Sequence, residues 1–342
     1  MPDSNLELSI DTTLATYHAS FTIYPEVEKV FSGLDWLVKR RCFGSFVPSM
    51  LLTGGTGSGK SALIKHYISK CLSENEVLLT RVRPTLKETL LWIVNEIDKY
   101  KKYRAKGSVL GLIDYVIRCV KRTELKLLVI EECQELFECT SHKERQEIRD
   151  KLKMISDECR LPIVFVGIPS AKLILEDSQW DRRIMVKREL PYFKITDEAS
   201  IDRYLDLLEA MERAVPLPFD VDLMDVEIAM RLLAASHGML GMLKELIAVG
   251  LESALISNKA AIQLEDFILG YEMIFGLDEI NPFSVDINEL VIKQIESYEG
   301  SGPAAKKKKL DGSGEYVPDA ETGELKFVGQ IFNALTIKQL LG

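Results

Sequence analysis

The sequence predicts an α/β domain with a parallel sheet, followed by a small all-helical domain and a C-terminal tail. Three observations support this fold class. Apolar strand patterns alternate with helical patterns as far as Pro191, a glycine-rich loop follows the first strand, and only helical patterns occur between Pro191 and residue 275. Alternating strands and helices favour a parallel sheet with right-handed crossovers.

The first domain is predicted over residues 21–192, after an N-terminal leader at 1–20. Its predicted strands are short and apolar, and the one at 126–130 is apolar after its first residue, as a central parallel strand should be. The strands are predicted at residues 50–52, 77–82, 126–130 and 163–166. Apolar residues at helical spacing predict helices at residues 24–41, 61–72, 86–100, 109–119 and 144–159.

The second domain is predicted over residues 193–275 as a helical lid, and the tail covers 276–342. Helical patterns occupy residues 197–213, 222–236, 239–257 and 264–275. Asp197 and Asp222 lie near two predicted N-termini, where a carboxylate accepts backbone N–H bonds. At the end of the tail, an apolar cluster predicts one short amphipathic helix that docks on a partner or on the lid: Ile331, Phe332, Leu335, Leu340 and Leu341.

Composition is that of an ordinary folded protein, with 46% hydrophobic and 28% charged residues. The formal net charge of −9 implies that any nucleic-acid contact uses a local basic patch. Six scattered cysteines without a CxxC pair argue against a zinc site. No signal peptide or membrane span is expected, so a cytosolic location is expected.

Residues 301–314, SGPAAKKKKLDGSG, differ in style from the rest of the chain. The lysine run between Ser-Gly linkers resembles a monopartite nuclear localisation signal of the Myc type. We interpret it as an engineered insertion, which would direct the protein to the nucleus of a eukaryotic cell, although a natural polybasic loop is the alternative. Without it, residues 298–300 and 315–317 would be nearly continuous.

The glycine-rich loop reads GGTGSGKS and fits the pattern GxxxxGK[ST] between a strand and a helix. Its residues are Gly54, Gly55, Thr56, Gly57, Ser58, Gly59, Lys60 and Ser61. Backbone N–H groups of such a loop surround phosphates at a helix N-terminus. Lys60 is expected to reach the β- and γ-phosphates, and the Ser61 hydroxyl to bind Mg²⁺. The loop therefore predicts binding of ATP with Mg²⁺.

A second motif is the apolar strand at 126–130 that ends in Glu131 and Glu132. In a Walker B motif the first carboxylate holds Mg²⁺ and the second polarises the attacking water. The first position is usually Asp, and the extra methylene of Glu131 moves the carboxylate by ~1.5 Å, so slow hydrolysis is expected. A strand that merely ends in exposed acids is the alternative.

Together with LPIVFVGIPSA at 161–171 and DRRIMVKRELPYF at 181–193, these motifs resemble the AAA+ ATPases of bacterial transposons, the TnsC/TniB family. The match covers about residues 21–275 and is closest to TnsC of CRISPR-associated transposons. The resemblance implies an ATPase that forms a ring or filament on double-stranded DNA. It also implies recruitment of a transposase and cooperation with a target-selector protein.

The resemblance implies that an arginine before the last strand reaches the ATP of a neighbouring subunit. Arg182 and Arg183 match that position, and Arg188 is a less well placed candidate; a solvated basic turn is the alternative. Two polar features of many AAA+ proteins are missing. Ile168 ends the fourth strand, with only Ser170 polar nearby, and the lid has Lys244 one turn after Gly241 in place of an arginine.

A basic segment with interleaved tyrosines is the candidate DNA contact: Lys99, Lys101, Lys102, Arg104 and Lys106. Arg81 and Arg83 could join it, and a solvated charged loop is the alternative. In the TnsC family the helices after the second strand line a DNA channel. Two other functions stay open: a replication initiator or helicase loader, and a nucleotide-binding signalling module with vestigial hydrolysis.

Overall fold

The computed structural model describes residues 4–44, 46–83, 85–97, 109–138, 142–300, 314–318 and 325–336. Within these ranges, five parallel strands form one sheet in the order β2-β3-β4-β1-β5. The strands are β1 (Ser49–Gly54), β2 (Val77–Arg81), β3 (Leu127–Glu131), β4 (Ile163–Gly167) and β5 (Ile184–Leu190). The predicted α/β fold with a parallel sheet is confirmed.

The burial of each strand explains why β1, β3 and β4 are predicted from the sequence and β5 is not. Every residue of β1, β3 and β4 is buried, which agrees with their continuous apolar runs. Strand β5 lies at an edge, and its burial alternates, since Ile184 and Val186 are buried while Met185 and Lys187 are exposed. An edge strand with one exposed face has no continuous apolar run, so β5 is not among the strands predicted from the sequence.

Helices cover both faces of the sheet. They are α1 (Ser4–Ala19), α2 (Pro25–Arg40), α3 (Lys60–Cys71), α4 (Leu86–Ile97), α5 (Val109–Lys121), α6 (Glu135–Glu138), α7 (His142–Cys159) and α8 (Ser178–Asp181). Alternate residues of β1 face opposite sides. Met50 and Leu52 join the core shared with α2, α3 and the lid, whereas Leu51 joins the core under α4, α5 and α7.

The lid contains α9 (Glu198–Glu212), α10 (Val226–Ser236), α11 (Leu240–Ile256) and α12 (Leu264–Phe275), which agree with the predicted helices. Asp197 caps α9 as expected, because its carboxylate accepts the Ser200 N–H at 2.7 Å. Asp222 also accepts a backbone N–H bond, but it is not the residue that caps α10. Its carboxylate accepts the Met224 N–H in the preceding turn, and Asp225 caps α10 through the Glu227 N–H at 2.9 Å.

The N-terminal segment, expected to be a loose leader, contains helix α1, which packs against α11 of the lid. Tyr17 is only 1% exposed. Lys244 donates from its Nζ to the backbone carbonyls of His18 (2.8 Å) and Ser20 (2.6 Å). The ammonium therefore satisfies carbonyl groups at the C-terminus of α1 and fastens this helix to the lid.

The tail differs from its prediction. Its described parts form β6 (Val291–Gly300), β7 (Gly314–Pro318) and β8 (Leu325–Thr336), an antiparallel sheet in the order β6-β8-β7. The predicted helix around Ile331, Phe332 and Leu335 is wrong, because these residues lie in β8, paired with β6. The other two residues of the cluster, at 340 and 341, lie outside the described residues, as do residues 301–313 of the interpreted insertion.

The tail sheet is attached to the rest of the chain through the start of β6. Ile292 is fully buried, and the side-chain oxygen of Gln294 accepts the backbone N–H of Ile195 at 2.7 Å. In the parts of the chain that the structure describes, no helix is both long and apolar enough to cross a membrane.

Candidate active site

The glycine-rich loop lies at the carboxyl edge of the sheet, between β1 and α3. Gly57 and Gly59 have φ values of 75° and 89°, in the left-handed region that other residues rarely adopt. Gly59 is the N-cap of α3, so the loop delivers its backbone directly to a helix N-terminus. This is the local geometry that favours an anion.

Lys60 is folded back into the loop. Its Nζ donates to the carbonyl oxygens of Gly54 and Gly55, both at 2.8 Å, and lies 3.5 Å from Ser58 Oγ. Burial lowers the pKa of Lys60 from its ordinary value, while the nearby carboxylates of Glu132 and Glu131 oppose that shift. The loop thus holds a buried cation next to the two carboxylates that follow β3.

Glu131 is the last residue of β3 and is 8% exposed. Its Oε1 atom is buried and has no hydrogen-bond partner in the described residues. Leaving a buried carboxylate oxygen unpaired costs free energy, and such an atom in a native site calls for an explanation. A cation bound at this position provides one.

The residues around Glu131 fit Mg²⁺, which prefers oxygen ligands and commonly uses one or two protein carboxylates together with substrate phosphates. Ser61 in the first turn of α3 and Glu131 provide a hydroxyl and a carboxylate. Among the described residues, no group of three or more His, Cys, Asp or Glu side chains forms a metal site. The fit therefore depends on a phosphate ligand for the remaining oxygens.

Glu132 has a left-handed backbone, with φ of 50°. Its Oε2 atom accepts a 2.7 Å hydrogen bond from Nε2 of Gln134. The side-chain oxygen of Gln134 in turn accepts the backbone N–H of Ile168, after the end of β4, at 3.3 Å. Gln134 is not among the site residues predicted from the sequence, because an amide side chain two residues after a carboxylate is no specific signal.

The lid touches the loop directly. The Gly241 N–H, in the first turn of α11, donates to the Gly57 carbonyl at 2.8 Å, and a Cβ on Gly241 would lie 2.9 Å from that oxygen. Tyr192 adds a hydrogen bond from its hydroxyl to the Thr56 carbonyl at 2.5 Å. Lys244 does not stand in for a lid arginine, because its ammonium is bound to α1.

The three candidate arginines have different environments. Arg183 is mostly buried and makes a bidentate pair with Asp157, at 2.5 and 2.8 Å. Arg188 donates to the backbone carbonyl of Lys29 at 3.1 Å. Arg182 is exposed, and its side chain has no hydrogen bond or ion pair with the described residues. Of the three, Arg182 is the one whose charge is available to a neighbour.

Of the basic residues proposed to contact DNA, the structure describes only Arg81 and Arg83. Lys99, Lys101, Lys102, Arg104 and Lys106 all lie outside the described residues. Arg83 precedes α4, and its guanidinium is 4.0 Å from the centre of the ring of Trp92 in that helix. Arg81 is the last residue of β2 and Arg83 follows two residues later, so both arginines lie near the carboxyl edge of the sheet. Burial raises the pKa of Glu135, and both arginines oppose that shift.

Three solved structures with a similar fold are Cdc6p of Pyrobaculum aerophilum and the ORC1 and ORC2 proteins of Aeropyrum pernix. Cdc6p of Pyrobaculum aerophilum is 15% identical, with a TM-score of 0.57, over 80% of this chain and 75% of that one. The ORC1 protein of Aeropyrum pernix, solved in complex with DNA, is 18% identical with a TM-score of 0.52, over 74% of this chain. The match spans 66% of ORC1, just under two thirds of its length.

The ORC2 protein of Aeropyrum pernix, solved as ADPNP-ADP complexes, is 14% identical with a TM-score of 0.54, over 79% of this chain and 74% of that one. These likenesses establish the AAA+ fold. No curated protein matches the chain. The family model described as "Bacterial TniB protein" matches residues 14–195, more than half of the 342 residues. The chain therefore belongs to the TniB family.

Proposed function

We propose that this chain is an ATP-hydrolysing assembly factor of DNA transposition, which forms a ring or filament on double-stranded DNA. The observation that carries the proposal is the buried, unpaired Oε1 atom of Glu131, close to the charges of Lys60 and Glu132. Leaving a buried carboxylate oxygen unpaired costs free energy. A nucleotide site that binds a cation offsets this cost.

In this proposal, the residues of the loop and of the end of β3 have separate roles. The backbone N–H groups of residues 54–61 surround the phosphates of ATP, and Lys60 exchanges its carbonyl partners for the β- and γ-phosphates. Ser61 and Glu131 would hold Mg²⁺, which supplies neutralisation of the phosphate charge. Glu132 orients the attacking water, and the products are ADP and phosphate.

An exposed arginine supports ATP binding between subunits. Arg182 follows α8 directly and has no partner in the described part of its own chain. In a neighbouring subunit's site its charge would stabilise the transferring phosphoryl group. Nucleotide would then control the contact between subunits, which makes hydrolysis a switch or timer for the assembly.

Membership of the TniB family supports a role in transposition, and the resemblance to TnsC of CRISPR-associated transposons supports a transposase and a target-selector protein as partners. The DNA contacts in this proposal are phosphate contacts from Lys99, Lys101, Lys102, Arg104 and Lys106. The domain boundaries at residues 20, 192 and 275 belong to the same proposal. So does the engineered nuclear localisation signal at 301–314, in a protein whose native location is the bacterial cytoplasm.

Phosphate release with and without duplex DNA tests the proposal. We expect wild-type turnover to rise several-fold with DNA, and Lys60→Ala to lower ATP binding about 100-fold because it loses the cation that reaches the phosphates. Electron microscopy of the same samples should show assemblies on DNA only with ATP. Turnover without any DNA response and without assemblies would instead favour the signalling module. A helicase loader would stimulate a helicase and not a transposase.

A further inference from the structure

Two loop segments at the carboxyl edge of the sheet are joined by one buried side chain, that of Gln134. This residue is 6% exposed and comes two positions after Glu132. Its amide nitrogen donates to Glu132 Oε2 at 2.7 Å, and its amide oxygen accepts from the Ile168 N–H at 3.3 Å. Both ends of the amide are therefore in use, one on the candidate base and one on the backbone after β4.

We infer that Gln134 is a positioning residue, which holds the Glu132 carboxylate in the direction needed to orient water and ties it to the end of β4. The inference rests on the proposed ATPase function. A glutamate side chain has three rotatable bonds, and Glu132 extends from a left-handed backbone position. A fixed donor limits these rotations, and the Ile168 N–H fixes the donor in turn.

A glycine at the end of β4 leaves room for the contact between Gln134 and the backbone of Ile168. Gly167 is the last residue of β4, and a Cβ there would lie 2.6 Å from Oε1 of Gln134 and 2.9 Å from Sγ of Cys133. The absence of a side chain at 167 therefore lets the amide approach the strand end. The Cys133 N–H also donates to the Val166 carbonyl at 2.9 Å, which fixes the backbone on the same side.

The amide orientation is set by its two partners. The carboxylate of Glu132 can only accept, and the Ile168 N–H can only donate, so nitrogen must face Glu132 and oxygen must face Ile168. Neither leucine nor glutamate reproduces this pair. Leucine has no polar atoms, and a glutamate carboxylate would keep the contact with Ile168 but would face the Glu132 carboxylate without a donor.

The test compares Gln134→Leu and Gln134→Glu with Gln146→Leu, a control on α7 whose side chain bonds only to Asp150 and Arg149 among the described residues. The turnover number for phosphate release, the dissociation constant of a fluorescent ATP analogue and the melting temperature are measured for each. A hydrogen bond to a charged group is worth enough to change a rate by about ten-fold or more. We expect both Gln134 variants to lose that much turnover while analogue binding changes less than three-fold, and the control to match wild type.

A double variant separates positioning from general damage. If Gln134 acts through Glu132, adding Gln134→Leu to Glu132→Gln lowers turnover little further, because the group to be positioned is already gone. A multiplicative loss, or parallel losses of turnover, binding and melting temperature, would overturn the inference. If Gln134→Leu does not fold, the isosteric Gln134→Glu variant carries the same comparison.

The two proposals fail in different ways. If Glu132→Gln lowers turnover strongly but Gln134→Leu and Gln134→Glu match wild type, the inference about Gln134 is wrong and the proposed function stands. If Glu132→Gln itself turns over like wild type, the proposed base is wrong, and the assignment of Gln134 fails with it.

Discussion

Buried charged groups are treated in opposite ways in the lid and at the carboxyl edge of the sheet. In the lid, the fully buried Asp266 accepts hydrogen bonds from Lys259 Nζ (2.8 Å), Ser253 Oγ (2.8 Å) and the Gln263 N–H (2.9 Å). Arg231, also buried, pairs with Glu227 and donates to the backbone carbonyls of Pro282 and Val285. These lid charges are held by partners from their own chain.

At the carboxyl edge of the sheet, the hydrogen bonding of the buried charged groups is incomplete. Oε1 of Glu131 has no partner in the described residues, and Lys60 is bound only to atoms of its own loop. A buried charge with several partners stabilises one conformation, whereas a buried charge without them is costly. This difference is expected if the lid charges serve stability and those at the carboxyl edge of the sheet bind a ligand.

The largest expected effect concerns two adjacent arginines, Arg183, which is paired within the described part of its own chain, and Arg182, which is not. Arg182→Ala should lower DNA-stimulated phosphate release about 1,000-fold, since an arginine supplied to the transferring phosphoryl group has an effect of at least this order. Its melting temperature should not change, because the side chain has no partner in the described chain. Arg183→Ala is the matched control, which should lose stability through the broken pair with Asp157 and keep most of its turnover.

Mixing Arg182→Ala subunits with Glu132→Gln subunits should restore part of the turnover, because some interfaces then contain an intact arginine and an intact base. If no ratio restores it although assemblies form, Arg182 does not act on a neighbour. If Arg183→Ala loses turnover and Arg182→Ala does not, the distinction between paired and free arginines is wrong.

The next effect concerns the lid. Asp266→Ala should lower the free energy of unfolding by about 3 kcal/mol, because Lys259 and two further donors lose a buried acceptor. Burial alone raises the pKa of Asp266, but its hydrogen bonds and Lys259 lower it on balance. This stabilisation is therefore present above the carboxyl group's unfolded pKa and is lost as the pH falls through its lowered folded value.

Denaturant unfolding measures the loss, and Asp266→Asn, which keeps an acceptor of the same shape, is the control and should lose less. ATP binding by the folded fraction should stay within a factor of two for both variants. A large loss of binding with unchanged stability would show that the lid charges serve the nucleotide, which contradicts the comparison.

The sequence reveals structure where the determining forces are local. The apolar runs of β1, β3 and β4 and the glycines of the loop act within a few residues, and these elements agree with their predictions. Strand β8 was mistaken for a helix because Ile331, Phe332 and Leu335 can be read at helical spacing. Apolar residues at 325, 327, 331 and 335 also follow a period of two, and the partner strand β6, about 35 residues earlier, decides between the readings.

The candidate site shows the same limit. The loop and the two glutamates are recognisable from their order along the chain. The difference between Arg182 and Arg183 depends on Asp157, which is 26 residues away, and the setting of Gln134 depends on Ile168, which is 34 residues away. Contacts at such separations leave no pattern in a single sequence.

Thermal and denaturant unfolding of Glu131→Gln shows whether the Glu131 carboxylate serves the bound nucleotide or the stability of the fold. Without nucleotide, we expect the variant to be as stable as wild type or more stable, by about 1 kcal/mol, since a buried charged oxygen without a hydrogen-bond partner in the described residues becomes part of a neutral amide. ATP with Mg²⁺ at 100 times the dissociation constant should stabilise wild type by about 2.7 kcal/mol and the variant much less. A variant that is destabilised without nucleotide, yet gains as much as wild type from ATP and Mg²⁺, would contradict the claim that Glu131 is kept unpaired for a ligand.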